Sequence, residues 1–155
     1  MAVDLVFEIV EGEPALGLSN EILGLGHVLF PDFTDGYLLD RLPTVSGLAL
    51  VAAHDPNGML LGFKLGYARC DDTFYSWLGG IHPSIRRMGV ARQLMQRQHD
   101  WARDRGYAAV ETRTRTVNNA MIILNLQSGF QIVGYEVDES GHGIVTQRAT
   151  LKPQS

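Results

Sequence analysis

Cysteine is almost absent. Cys70 is the sole thiol in 155 residues, which leaves no disulfide framework and no thiolate metal cluster. It reads as a small buried hydrophobe rather than a nucleophile. The histidines, His27, His54, His82, His99 and His142, are scattered without an i, i+4 pair, and no metal is expected. No apolar run approaches the ~20 residues that span a bilayer, and no basic segment leads into an apolar stretch at the N-terminus. The expectation is therefore a soluble, cytoplasmic protein with no membrane partner. Internal repeats, low-complexity segments and linkers are lacking too, so the chain reads as one domain over residues 1–155, large enough to bury a core. With 45% apolar and 19% charged residues, that domain is globular rather than disordered.

Bases are scarce at the start. Residues 1–60 hold nine acids against Arg41 alone and net −8, whereas residues 86–115 hold eight arginines against Asp100, Asp104 and Glu111 and net +5, in a chain of −4 overall. One interpretation is an anionic ligand on the arginine-rich side and a cationic one on the acidic side; the other is a pair of solvated faces. Nucleic acid fits poorly, because the arginines sit on a net acidic chain without a basic stripe joined to stacking aromatics.

Periodicity and turn residues divide the chain. Residues 3–10 read as a strand, 15–30 as a helix stopped by Pro31, and 35–42 as a short helix capped by Asp35 and broken by Pro43. A meander follows, with strands at 48–53, 59–69 and 73–81 separated by Asp55-Pro56-Asn57-Gly58 and by Asp71-Asp72. From Met88 the period becomes helical: Val90, Ala91, Leu94, Met95, Trp101 and Ala102 share one arc, and Gly106 ends the helix. Residues 107–115 alternate as a strand, and the crossover helix before them favours parallel pairing with the strand ending at Ile81. Residues 118–127 are helical and apolar nearly all round, which predicts a buried helix. Residues 130–137 and 143–151 close the chain as a hairpin.

One stretch carries the chemistry. The strand ending at Gly80-Ile81 meets Pro83, then Arg86-Arg87-Met88-Gly89-Val90-Ala91 opens the amphipathic helix. The first amides of a helix lack intrahelical partners and carry the positive end of its dipole. Gly89 and Ala91 let a ligand approach the backbone, and Arg86, Arg87 and Arg92 can fork onto phosphate oxygens. A phosphate or pyrophosphate is the expected ligand, although a glycine at a basic helix start is also a common cap. The turn lacks both the Gly-x-Gly-x-x-Gly spacing and the Gly-Lys-Ser/Thr ending of other nucleotide sites.

The order of elements, together with Arg86, Gly89 and Ala91 at the spacing Gln/Arg-x-x-Gly-x-Gly/Ala, resembles the GCN5-related N-acetyltransferase superfamily. Residues 118–130, from Asn118-Asn119 through Met121 and Asn125 to Gly129-Phe130, are similar to its Asn…Gly-Phe segment. The resemblance implies an α/β (α+β) fold, with a mixed central sheet of about seven strands and four helices, and acetyl-CoA as co-substrate in a cleft where two parallel strands splay apart. Backbone groups of Gly80 and Ile81 would pair with the pantetheine arm, and the amide after the strand bulge, placed near Ile81, would supply an oxyanion donor. Amides from Arg87, Met88, Gly89, Val90 and Ala91 would hold the pyrophosphate. Asn118 would touch the arm or cap its helix, or both, and Asn125 would lie near the thiol.

Two departures stand out against that family pattern. Many members place a Tyr as general acid where this chain has Asn125, which cannot give up a proton. Some have a Glu base where this chain has Arg113, leaving Glu111 as the nearest substitute, or else as a salt-bridge partner. His82 is expected to pack beside Pro83, and Tyr37, Tyr67 and Tyr75 to line an acceptor pocket or fill the core. In the family the acceptor side is built largely from the region corresponding to residues 14–45. There Glu21, Asp32, Asp35 and Asp40 lie beside Phe30, Phe33 and Tyr37, which would suit a cationic amine. The implied activity is acetyl transfer to a small-molecule or amino-acid amine, with a protein N-terminus or lysine as the alternative. A non-catalytic acyl-CoA-binding or sensing domain is the alternative of another class. A homodimer is possible, as family members often dimerise.

Overall fold

The computed structural model describes residues 4–12 and 17–151. Its strands are β1 (Val6–Glu11), β2 (Ala49–His54), β3 (Leu60–Cys70), β4 (Thr73–Ile81), β5 (Ala109–Arg115), β6 (Gln131–Val137) and β7 (Gly143–Thr150), and its helices α1 (Ser19–Leu29), α2 (Asp35–Leu39), α3 (Val90–Asp104) and α4 (Asn119–Gln127). Short 3-10 turns occupy Leu42–Thr44 and Pro83–Ile85. The starts expected for the first strand and first helix fall partly on residues 3 and 15–16, outside the described residues.

One mixed sheet of seven strands runs β1-β2-β3-β4-β5-β7-β6. Every residue of β2 from Ala49 to Ala53 is buried, as a strand covered on both faces requires. Alternation explains the two cores. Leu50 and Ala52 pack with Phe63, Leu65, Ile22, Leu25 and Leu38 under α1 and α2. Val51 and Ala53 point the other way, to Ile85, Val90 and Leu94 on the α3 side. A buried Leu such as Leu94 contributes ~1.5–3 kcal/mol.

Only β4 and β5 are parallel, and only briefly. Four pairs run from Thr73↔Ala109 to Ser76↔Thr112. There β4 bulges: Gly66 faces Ser76 but Leu65 faces Leu78, leaving Trp77 as the extra residue. Gly66 is required here, because a Cβ on it would lie 2.4 Å from the Tyr75 carbonyl oxygen and 2.5 Å from the Phe74 ring. Beyond the bulge β4 continues with β3 alone, while β5 stays with β7 as far as Arg115↔Ile144. The two strands open as a V.

Several expectations change. Thr34, not Asp35, caps α2, accepting from the Tyr37 amide at 3.3 Å. Cys70 is exposed, because β3 has left the core by its last residue, and its thiol donates to Asp72 Oδ1 at 3.2 Å. The α4 helix is not buried all round: only Asn125 is fully buried, while Ile123 and Leu126 are exposed. It covers the sheet with one face and leaves the other apolar face to solvent, beside the exposed edge strand β6. Among the described residues, no helix is long and apolar enough to cross a membrane.

Candidate active site

The V is the site. At its apex the Thr112 hydroxyl donates to the Ser76 carbonyl at 2.9 Å, the last link between the strands. The phase of the free edge of β4 follows from one bond: the His82 amide donates to the Leu61 carbonyl of β3 at 2.7 Å. Since strand groups alternate in direction, Gly80 points the same way, and the amides of Gly79 and Ile81 point into the V. Of the expected pair Gly80 and Ile81, both line the first cavity, but by this phase it is Ile81, with Gly79, whose amide faces the V, while that of Gly80 turns to β3. The amide following the bulge belongs to Leu78–Gly79, not to the neighbourhood of Ile81, because the bulge is at Trp77. Gly80 has a packing duty instead, since a Cβ there would lie 2.4 Å from Leu29 Cδ1.

The turn into α3 continues the same edge. His82 Nδ1 accepts from the Ser84 amide at 3.1 Å, which shapes the 3-10 turn. Arg87 has φ +64° and Gly89 φ +75°. Among the described residues Arg87 alone adopts positive φ without being glycine. Such left-handed residues among right-handed or extended ones turn successive amides inward, a concavity suited to anions. Gly89 caps α3 with no side-chain acceptor, so the first-turn amides of Val90, Ala91 and Arg92 have no cap to answer them. A Cβ on Gly89 would meet nothing within 4 Å; its absence serves the backbone angle and an open approach.

Two cavities fill the V. The first, about 170 Å³, is walled by Gly79, Gly80, Ile81, Arg86, Ala91, Met121 and Leu124, among others. The second, about 490 Å³, lies between β4, β5 and the α1–α2 loop, lined by Phe30, Phe33, Tyr37, Trp77, Thr112, Arg113, Arg115 and Asn118. They share Phe30, Lys64, Gly79 and Met121. Asn118 both lines the second cavity and caps α4, its Oδ1 accepting from the Met121 amide at 3.3 Å. Met88 is exposed on the turn.

Neither side chain expected to act in catalysis, Glu111 or Asn125, lines these two cavities. Glu111 holds Arg148 at 3.0 Å and Arg69 at 3.4 Å, and it pairs with Tyr75 below the apex. Its position in the ladder fixes it as an ion-pair hub. Asn125 lies in the core, where its Nδ2 donates to Gln147 Oε1 at 2.9 Å; one turn of α4 presents Met121 and Leu124 to the cleft in its place.

The residue that sequence reasoning missed is Lys64. It interrupts the apolar strand Leu60-Leu61-Gly62-Phe63-Lys64-Leu65, and a charge in such a run is the signal that could have found it. Its side chain lines both cavities, its Nζ donates to Ser76 Oγ at 3.3 Å, and its Cγ would stand 3.3 Å from a Cβ on Gly79. Burial pulls its ammonium down to about 8. His99 of α3 is likewise lowered to about 4, chiefly by burial and next by Lys64.

The acceptor-side acids also disperse. Only Asp32 lines the second cavity. Asp35 pairs with His27 at 2.6 Å and Glu21 lies 3.6 Å from His54, while Asp40 is exposed. Tyr37 lines that cavity and its hydroxyl accepts from Trp77 Nε1 at 3.1 Å. Tyr67 and Tyr75 line a third cavity further along β4. Among the described residues no group of three or more His, Cys, Asp and Glu side chains is placed to hold a metal.

A model of the acetyltransferase (GNAT) family matches residues 20–130. A search of the curated proteins by sequence finds no match. Among solved structures, the fold is similar to that of the ribosomal-protein-S18-alanine N-acetyltransferase from Escherichia coli, with TM-score 0.79 and 15% identity, covering 97% of both chains. An IAA acetyltransferase from Bacillus cereus gives TM-score 0.76 at 13% identity, over 96% of this chain and 100% of that one. A GCN5-related N-acetyltransferase from Kribbella flavida gives 0.66 at 22%, over 94% of this chain and 98% of that one. At these identities the likeness is one of fold.

Proposed function

Because the chain belongs to the acetyltransferase (GNAT) family, we propose that it transfers an acetyl group from acetyl-CoA directly to a primary amine of a small molecule or amino acid. The observation that carries this is the open amide edge of β4 past Trp77, running on into the uncapped first turn of α3 at Gly89. An extended pantetheine arm would add to that edge as a strand does, at the Ile81 amide, leaving the Gly79 amide for the thioester. The pyrophosphate would sit on the amides of residues 87–91, with Arg86 beside it. Asn118 stands across the second cavity.

Acetyl-CoA supplies a thioester carbon open to attack. The amide at Leu78–Gly79 would donate to the oxygen as it gains charge, and such a preset donor is worth ~3 kcal/mol. Lys64, which lines both cavities, would be the proton source. Its ammonium at about 8 is matched to a departing thiolate, so the C–S bond breaks as Lys64 gives its proton to sulfur. The amine, on becoming an amide, releases a proton that restores the Lys64 ammonium. Lys64 thus fills the part left vacant by Asn125.

The engagement of Glu111 with two arginines and of Asn125 with Gln147 favours one second reading, a non-catalytic acyl-CoA-binding domain. A melting curve with acetyl-CoA, against NADH and ATP as controls, tests the site: at 100 times the dissociation constant the ligand adds ~2.7 kcal/mol of stability. A selective rise is expected, and no rise at millimolar acetyl-CoA contradicts both readings. Thiol release on adding amines separates the enzyme from the binding domain.

A further inference from the structure

The third cavity, about 370 Å³, shares Arg113 with the second. It lies on the sheet face covered by α1 and α2, where Tyr67 and Tyr75 pack. Arg41, Arg69 and Arg113 line it against a single carboxylate, Glu136. Arg113 is bound to Glu136. Arg69 lies 5.9 Å from the Tyr75 ring centroid, and its one carboxylate partner among the described residues is Glu111, which Arg148 also holds. Arg41 has no carboxylate partner among the described residues: its guanidinium lies 5.0 Å from the Trp77 ring centroid and donates to the Tyr67 hydroxyl at 3.3 Å. A guanidinium has five donors in one plane, so most of Arg41's remain for a ligand. Tyr75 adds a hydroxyl that stays protonated, because burial raises its pKa.

We propose that this cavity binds an oxyanion of the acceptor, a carboxylate or a phosphate, so that the substrate is an amine bearing an anionic group about 10 Å from the reacting nitrogen. This rests on the transferase reading. The length comes from β4: four residues from Gly79 to Tyr75 at ~3.3 Å each span about 13 Å, shortened by the bulge to about 10 Å. A free α-amino acid is too short to reach both ends. An extended tripeptide, at ~3.4 Å per residue, spans about 10 Å from amine to carboxylate. A plain diamine has the length and lacks the anion, which the balance of charge opposes: with Glu111 and Glu136 engaged by Arg69 and Arg113, only Asp32 is left among the lining acids to face Lys64, Arg41 and Arg115.

The experiment compares thiol release from acetyl-CoA with trialanine, trialaninamide and alanyl-alanyl-phosphoserine amide, using the full chain and the variants Arg41→Gln/Arg69→Gln and Arg41→Lys. The wild type should prefer an anionic peptide over trialaninamide by at least tenfold in kcat/KM. Preference for trialanine assigns a carboxylate, and for the phosphopeptide a phosphate. The double Gln variant should bring the ratio near one through KM, with an unchanged melting shift on acetyl-CoA, and Arg41→Lys should restore part of it. Equal rates with acid and amide, or a ratio that survives the double variant, overturn the proposal. Thiol release from none of the three, with the acetyl-CoA shift intact, also overturns it and leaves the transferase reading standing. Loss of the wild-type shift defeats that reading itself.

Discussion

The two halves of the V are built from different materials. On the α3 side the proposed ligand contacts are backbone amides, set by a bulge at Trp77, a left-handed Arg87 and a glycine cap at residue 89. On the acceptor side they are side chains from the loop after α1, from α2, β4 and β5, such as Phe33, Tyr37, Trp77 and Arg113. Backbone sites tolerate wide sequence change provided φ and spacing survive. Side-chain sites change specificity with single substitutions, on the same scaffold.

The comparison is sharpened most by Lys64, which belongs to both halves. Lys64→Met should lower thiol release about 100-fold with any good acceptor, and it should abolish the loss of rate above pH ~8 that follows when the ammonium deprotonates. The same variant should melt higher by a few degrees, since it removes a poorly solvated charge. The sign follows from the lowered pKa: between pH 8 and 10.5 the unfolded chain holds the proton that the native lysine has lost, so the wild type gains stability as pH rises through that window. Lower activity with higher stability would mark a functional lysine. Loss of both would make Lys64 a structural residue.

His99 titrates on the opposite side of neutrality. Its ring is held near 4 against the usual 6.5, mainly by burial. As pH falls from 6.5 towards 4 the unfolded chain takes up a proton that the native ring refuses, and native stability falls by up to about 3 kcal/mol. Urea melts at pH 7 and pH 4.5 should show this loss, and His99→Leu should remove most of it. An equal loss in the variant would assign the acid sensitivity elsewhere.

A smaller effect is expected at Glu111. Glu111→Gln should change kcat less than fivefold, because the carboxylate serves Arg69 and Arg148, whereas removal of a general base costs ~100-fold or more. Initial rates across pH 6–9 decide between these. A large fall that vanishes at high pH would restore Glu111 as the base.

The backbone half was legible in sequence for a physical reason. Proline, glycine and the shift from a period of 2 to one of 3.6 are local signals, and they located β4, the turn at Gly89 and the face of α3 that holds Val90, Leu94 and Met95. The phase of the amides at Gly79 to Ile81 was not legible, because it is set by the bulge, which depends on Gly66 of the neighbouring strand β3. The acceptor half was not legible, because nothing local says that Asp35 turns to His27 while Asp32 turns inward. Glu111 was left open between base and salt-bridge partner, and Asn125 was expected near the thiol, for the same cause: their partners Arg69, Arg148 and Gln147 are far along the chain. In α4, apolar residues all round suggested burial, yet the helix covers only one side of its neighbours and leaves Ile123 and Leu126 exposed.

The most direct measurement is calorimetric titration of acetyl-CoA into the wild type, Gly89→Val and Lys64→Met. Valine is strained at φ +75°, so the backbone account predicts at least tenfold weaker binding for Gly89→Val with Lys64→Met close to wild type. Equal affinity in wild type and Gly89→Val, or no heat from the wild type at all, would contradict it.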